Sequence, residues 1–394
     1  MNNNKTLKEF EIYCLKFGLR GINNYDKHFK KLHKKYGGDF ELIMQAADRR
    51  GDDPYSDDFD IYEFKNKNLK MSLDLMNAFT RNLNSALFNK YDLIDNISPK
   101  NILDLGSDNG FLTCFISSLF NSARVVGIEK SNNGYKISNE IKKRLEQKNC
   151  EFLNQDFFHF RNGEKYDLIF STTFLKELSK FQIIDHTKTI KDLSSRENFY
   201  RNKDLQIASE KIFEHLDEKG IVICIERLGT FEDLFHFIRN VEESGLKCNT
   251  KVSSFLTFNT MNGEERVPLL IFRKSSKSND KSEFNDIFRF YFQEMDFHTK
   301  ELFGDSTYEQ AIFESINPKN LVSRLKAIYH NESGTEFLEY WQTDLLTFCI
   351  NKSNMGYFSM RISPLLTSDE IKQQNDDYIS HKEDYCDISE TGFP

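Results

Sequence analysis

No apolar run of about 18 residues occurs in this chain of 394 residues, so a membrane-spanning helix is not expected. The opening Met1-Asn2-Asn3-Asn4-Lys5 lacks the apolar core of a signal peptide, and a cytoplasmic protein is expected. No two of the seven cysteines (Cys14, Cys114, Cys150, Cys224, Cys248, Cys349, Cys386) are spaced as Cys-x-x-Cys, and their number is odd. Neither a disulfide framework nor a zinc site is suggested, and free thiols in a reducing compartment fit best. Positive charge is not in excess: 53 Lys and Arg stand against 61 Asp and Glu, for a net charge of −8. A long phosphate backbone is therefore not the default partner. Asp52, Asp53, Asp57, Asp58 and Asp60 surround Pro54 and Tyr55, but without EF-hand spacing. They read as a solvated loop, and no other metal-ligand spacing is found.

Apolar side chains are plentiful: 39% of residues are hydrophobic and 37 are Phe. Real cores follow, with Phe as the main filler, and the length implies two or more domains. Residues 1–95 read as a helical block. Leu7, Phe10, Cys14 and Phe17 form one amphipathic stripe, Phe40 to Ala47 a second, and Leu69, Leu73, Met76, Phe79, Leu83 and Leu87 a long third. Between the first two, Lys27-His28-Phe29-Lys30-Lys31-Leu32-His33-Lys34-Lys35 is strongly basic. Phe29, Leu32 and Tyr36 share a helix face there, so the lysines are expected on a solvated one.

Strand and helix patterns alternate over 96–274. Short apolar runs at Asn101–Leu105, Arg124–Ile128, Glu151–Leu153, Tyr166–Phe170 and Gly220–Ile225 are separated by helical segments at Phe111–Phe120, up to Gln147, Ala208–Leu216 and Phe231–Ser244. Lys251–Phe258 and Val267–Phe272 flank a short turn and should pair as a hairpin. Alternation of this kind gives an α/β fold, a parallel sheet covered by helices, here with one antiparallel strand. The polar stretch Lys274–Ser282 reads as a linker. A small α+β module is expected over 284–394, with helices near 284–295, 305–315 and 318–330. Strands are expected at Phe337–Trp341, Leu345–Ile350 and Tyr357–Ile362, and a loose tail after about 375.

The informative segment is Asn101-Ile102-Leu103-Asp104-Leu105-Gly106-Ser107-Asp108-Asn109-Gly110-Phe111-Leu112. A buried strand ends in an acid, a glycine-bearing turn follows, and a helix begins. Gly106 lets the backbone approach a ligand, and Gly110 permits a tight start to the helix. N–H groups at that start can hold a carboxylate, and Asp104 can receive an ammonium. The two suit the ends of a zwitterionic amino acid. Glu129 closes the second strand, 23 residues after Gly106, where such folds place a ribose-hydroxyl acceptor. Asp156 can accept from an adenine amino group, with Phe157 near the ring. Asp167 is a fourth acid, at the start of the fourth strand.

In this order and at these spacings, Asp104, Gly106, Gly110, Glu129, Asp156 and Asp167 resemble the successive motifs of class I S-adenosylmethionine-dependent methyltransferases. The likeness covers about 96–274. It implies a Rossmann-like seven-stranded sheet with the last strand antiparallel, between the N-terminal helical block and the C-terminal module. It implies S-adenosylmethionine as cofactor, with Asp104, Gly106, Ser107, Asp108, Gly110, Glu129, Asp156, Phe157 and Ser171 in its site, and no metal. One departure is Asp108, which stands in place of the middle glycine of the turn. A dinucleotide-binding Rossmann domain is the competing fold, but it normally shows a third glycine and lacks a terminal hairpin.

Methyl transfer needs an in-line nucleophile beside the sulfonium, and positioning can supply much of the rate. The segment after strand four, Ser171-Thr172-Thr173-Phe174-Leu175-Lys176-Glu177-Leu178, lacks the Asx-Pro-Pro-aromatic motif and the Cys nucleophile of nucleic-acid methyltransferases. It also lacks the paired-Glu loop of arginine methyltransferases, and it more nearly resembles the small-molecule and peptide enzymes. Glu177 and Glu226 are the candidate catalytic carboxylates, each also readable as an ordinary solvated or rim acid. The insertion 179–205 holds His186, Arg196, Tyr200 and Arg201 as further pocket candidates. His159 and His236 read as helix or surface residues. The expected activity is methylation of a small molecule or peptide at O, N or C. A protein or RNA methyltransferase and a non-catalytic binding protein of the same fold remain open.

Overall fold

A computed structural model gives the architecture. It describes residues 5–52, 60–90, 97–178, 202–228, 231–275, 320–330, 334–343 and 346–390, with a few single positions between 281 and 318. The described residues form two compact units, one ending at 282 and one beginning at 286. Most of the acidic loop, the candidates His186, Arg196, Tyr200 and Arg201, most of the helix expected at 284–295 and all of that expected at 305–315 lie outside them, while the described positions 286, 287, 290 and 291 are helical.

Among the described residues the first unit opens with six helices: α1 (Lys5–Lys16), α2 (Tyr25–Tyr36), α3 (Gly38–Asp52), α4 (Ile61–Lys65), α5 (Leu69–Phe79) and α6 (Arg81–Asn89). The long third stripe read from the sequence is thus two helices. Thr80 breaks it with φ −125°, its hydroxyl donating back to Met76 O at 3.1 Å. A Thr hydroxyl that bonds the preceding turn competes with the helix ladder. On α2 the apolar face packs as expected: Leu32 is buried, with Phe29 and Tyr36 against Phe40, Ile43, Met71 and Leu75. Lys27, Lys30, Lys31 and Lys34 are exposed.

The α/β part follows as β1 (Asn101–Leu105), α7 (Phe111–Leu119), β2 (Arg124–Glu129), α8 (Asn132–Arg144), β3 (Cys150–Asn154) and β4 (Tyr166–Thr172). It continues with α9 (Leu175–Leu178), α10 (Lys203–His215), β5 (Leu216–Ile225), α11 (Phe231–Glu242), β6 (Leu246–Cys248), β7 (Ser254–Thr260) and β8 (Gly263–Lys274). Strand order is β3-β2-β1-β4-β5-β8-β6, with β7 also paired to β8. The first five strands run parallel, and β8 runs antiparallel to β5, β6 and β7. The hairpin expected from the sequence is β7–β8. The three-residue β6 is an additional strand, too short to leave a periodic signal. The sheet is the Rossmann-like methyltransferase type, one strand larger than the seven expected.

Phenylalanine fills the core, as its abundance implies. Phe10, Phe88 and Phe115 are buried, with ring centroids 4.6–5.0 Å apart, and Tyr13 donates to Phe111 O at 2.9 Å. Each fully buried Phe contributes about 1.5–3 kcal/mol, and each ring pair adds about 0.5–1.5. Helices α1 and α6 therefore share one core with α7 and the sheet.

The second unit is an antiparallel sheet of order β12-β11-β10-β9-β13: β9 (Asn320–Tyr329), β10 (Thr335–Gln342), β11 (Leu346–Ser353), β12 (Phe358–Pro364) and β13 (Cys386–Glu390). Helix α12 (Ser368–Lys382) lies between β12 and β13 in sequence. Two expectations fail here. Residues 318–330 were expected as a helix, but β9 is a strand: Leu321, Leu325 and Ile328 sit at helical steps, whereas Ser323, Leu325 and Ala327 are buried in two-residue alternation between β10 and β13. The tail is not loose either. A capping box of Thr367 and Glu370 starts α12, and buried Glu336 accepts from Tyr378 (2.9 Å) and Lys382 (2.9 Å), tying that helix to the sheet.

Candidate functional site

The site is built on the carboxyl rim of the parallel strands. Strand β1 is central, and Ile102, Leu103 and Leu105 are completely buried. Beyond it the backbone turns through left-handed residues at Gly106 (φ +67°), Asp108 (φ +51°) and Gly110 (φ +71°). Gly110 is required by packing, because a Cβ there would lie 2.4 Å from Ser138 Cβ. Asp108 is tolerated because short polar Asp visits this region more readily than most side chains. Ser107 N–H donates to Ile128 O at 2.9 Å, which continues the β1–β2 pairing past the strand and brings the turn beside Glu129.

Glu129 is 7% exposed. It accepts from Asp108 N–H at 2.7 Å on one oxygen and from Ser131 N–H at 2.7 Å on the other. Each carboxylate oxygen keeps a second acceptor position. Burial, then the neighbouring Asp108, pushes its pKa up to about 8. Asp104 is buried under the turn, where Thr113 donates to it at 2.5 Å, and burial raises its pKa to about 7. Asp156 caps the turn after β3, accepting from Phe158 N–H at 2.9 Å, and lies 3.5 Å from Lys130 Nζ. Phe157 is buried, its ring centroid 6.0 Å from that of Phe174. Phe174 in turn covers Gly106, where an added Cβ would come within 2.5 Å of Phe174 Cδ2. Asp167 lies at the other end of the sheet, accepting from Lys100 and Asn101 N–H at 2.7 and 2.9 Å.

Glu226 follows β5 and is fully buried. It accepts from Ser171 Oγ (3.2 Å), Leu175 N–H (2.9 Å) and Lys176 N–H (3.2 Å), and burial raises its pKa to about 7. These bonds fasten the start of α9 to β5 and hold a strained turn: Thr173, a β-branched residue, has φ +54°. Glu226 thus faces backbone and Ser171, in contacts that tie the start of α9 to the end of β5. Glu177, exposed on α9, accepts from Tyr62 OH.

Sequence reasoning missed helix α4, which lies across this rim through three separate contacts. Tyr62 reaches Glu177. Glu63 accepts from Asn132 and Asn133 N–H at the start of α8. Lys65 Nζ and Asn66 Nδ2 donate to the two oxygens of Asp108 at 2.8 and 2.7 Å. The one available signal was Asp108 itself, since a partly buried charge at a turn glycine needs partners.

Comparison with known proteins identifies the class. The methyltransferase domain family matches residues 98–306, over half of the chain. The chain belongs to this family of methyltransferases, and S-adenosylmethionine is the cofactor of its class. Similar solved structures include the N-methyltransferase NodS from Bradyrhizobium japonicum WM9 in complex with S-adenosyl-L-homocysteine. It is 15% identical, with 47% of this chain and 85% of that one covered, at a TM-score of 0.33. The ribosomal protein L11 methylase from Lactobacillus delbrueckii subsp. bulgaricus is 15% identical, covering 48% and 78%, at 0.32. The [4+2]-cyclase SpnF is 10% identical, covering 48% and 79%, at 0.35. No curated protein matches.

The residues present fit the cofactor. The buried Ser107 hydroxyl has no partner among the described residues, Glu129 has acceptor capacity left, and the turn is left-handed where a ligand must come close. Among the described residues no group of His, Cys, Asp and Glu is arranged to hold a metal, and no helix is long and apolar enough to cross a membrane.

Proposed function

We propose that this chain transfers the methyl group of S-adenosylmethionine to a small molecule or peptide, at O, N or C. When bound, the cofactor supplies an electrophilic methyl on sulfur. Glu129 is the acceptor for the two ribose hydroxyls, and it is the observation that carries the reading: a buried strand-end carboxylate, oriented by two backbone N–H groups, with one acceptor position free on each oxygen. Asp104 receives the ammonium, and the backbone of Gly106, Ser107, Asp108 and Gly110 faces the amino-acid end. Asp156 and Phe157 serve the adenine.

The acceptor side is the rim of β4 and β5. Ser171 and Glu226 fix the turn there, so their role is to hold geometry. Glu177 with Tyr62 is the pair at hand to orient an acceptor or take its proton. Helix α4 across the rim favours a compact acceptor, because it narrows access and excludes water from the reacting atoms. Residues 1–95 act in this reading as a cap on the methyltransferase domain 96–274, and 284–394 as a separate module. Seven buried, unpaired cysteines support a reducing, cytoplasmic setting.

The test is calorimetry with S-adenosylhomocysteine, then methyl transfer from labelled cofactor to a panel of amines, hydroxy acids and short peptides. Cofactor binding with turnover on a small acceptor supports the proposal. Turnover on folded protein or RNA alone contradicts its acceptor assignment.

A further inference from the structure

Asp108 places a carboxylate where the motif usually has glycine, directly beside Glu129. A like charge this close opposes the ionisation of Glu129. The pKa of Glu129, near 8, reflects burial first and Asp108 second, and Lys65 works against the rise. Lys65 Nζ lies 2.8 Å from Asp108 Oδ2, with side chains only 21% and 25% exposed, so water and salt screen this pair less than a surface one. A chain of buried hydrogen bonds presents it. Asn66, 1% exposed, takes the second Asp108 oxygen and accepts from Ser72 Oγ at 2.6 Å, and Ser72 accepts from Asn109 Nδ2 at 2.9 Å.

We infer that Lys65 is a cofactor-positioning residue: paired with Asp108, it balances the charge beside Glu129 and fastens helix α4 to the turn that holds the cofactor. This rests on the cofactor reading above. Among the described residues, the charged groups around Glu129 are Asp108 on the turn, Lys65 and Glu63 on α4, and Lys130 and Asp156 beyond β2 and β3. Lys130 and Asp156 face each other at 3.5 Å and nearly cancel. Glu63 is occupied at the start of α8. Lys65 is thus the cation that offsets Asp108. Without it, Glu129 holds its proton to higher pH, and a neutral carboxyl has one fewer acceptor position for ribose hydroxyls.

The experiment is calorimetry of S-adenosylhomocysteine binding from pH 6 to 9 on the full chain. Lys65→Met is expected to weaken binding about tenfold at pH 7 and to move the break in the pH–affinity profile to higher pH. Lys65→Arg should restore both. Asp108→Asn should move the break to lower pH, and the double variant Lys65→Met with Asp108→Asn should bind within about threefold of wild type. A purely structural role would lower the melting temperature without moving the break. The inference is overturned if Lys65→Met binds like wild type, or if neither it nor Asp108→Asn moves the break. Should Lys65→Met not fold, the Asp108→Asn profile decides alone. Wild type that binds no S-adenosylhomocysteine would instead overturn the cofactor reading.

Discussion

Glu129 and Glu226 stand on the same rim of one sheet, the first at the end of β2 and the second just after β5, and both are buried with raised pKa values. Their surroundings differ. Glu129 meets two backbone N–H groups, one on each oxygen, and keeps acceptor capacity. Glu226 meets two N–H groups and a hydroxyl, and its bonds bind one loop of the protein to another. In the proposed reading, the first half of the rim receives the cofactor and the second fixes the shape of the turn beside it. A carboxylate at the end of a parallel strand is thus not a functional residue by position alone. What decides is how many of its lone pairs the chain has already used and whether the rest can be reached: Glu226 is 0% exposed and Glu129 7%.

The largest effect should come from the second half. Glu226→Ala strands two N–H groups and a hydroxyl and releases the strained Thr173, for a loss of about 3 kcal/mol in stability. That is on the order of 5–10 °C in Tm, read by thermal melting without ligand. Glu129→Ala should show the reverse pattern. Affinity for S-adenosylhomocysteine should fall by about 1.5–3 kcal/mol, with a smaller change in Tm. If both variants lose stability alike and binding alike, the distinction between the two halves fails.

The pH dependence sharpens it. Asp104 and Glu226 have folded pKa values near 7 and Glu129 near 8, above their unfolded values near 4. The folded state therefore binds more protons in this window. Their contribution to stability is full below about pH 4 and is lost as pH rises through 7 to 8. The unliganded Tm should accordingly decline from pH 6 to 9, while ligand affinity rises, by up to about tenfold per pH unit, until Glu129 is ionised. Glu129→Gln should flatten the affinity slope, and a rising Tm over that range would contradict the assignment. The smallest effect is expected at the exposed pair. Tyr62→Phe should change stability by under about 1 kcal/mol, as at other exposed polar contacts, yet lower turnover once an acceptor is known. Unchanged turnover would remove this pair from the reaction.

The sheet was legible because its strands are apolar runs and its turn is glycine-bearing at a fixed distance from Glu129. The acids at 104, 129 and 156 could be placed because parallel strands put their carboxyl ends on one rim. Three features escaped for physical reasons. Helix α4 is five residues long, too short for periodicity, and its purpose lies in contacts with residues far along the chain. Glu226 looked like a rim acid because sequence does not reveal which N–H groups will meet a carboxylate. Strand β9 carried both periods at once, and only its pairing with β10 and β13 decided between them. The capping box at Thr367 and Glu370 was visible and would have predicted α12.

The central claim is that the half of the rim around Glu129 holds S-adenosylmethionine. Its most direct test is calorimetric titration of wild type and Glu129→Ala with S-adenosylhomocysteine and, separately, with NAD. The account predicts micromolar binding of S-adenosylhomocysteine to wild type, at least tenfold weaker binding to the variant, and no binding of NAD. Binding of NAD without S-adenosylhomocysteine, or equal affinity of the two proteins for S-adenosylhomocysteine, would contradict it.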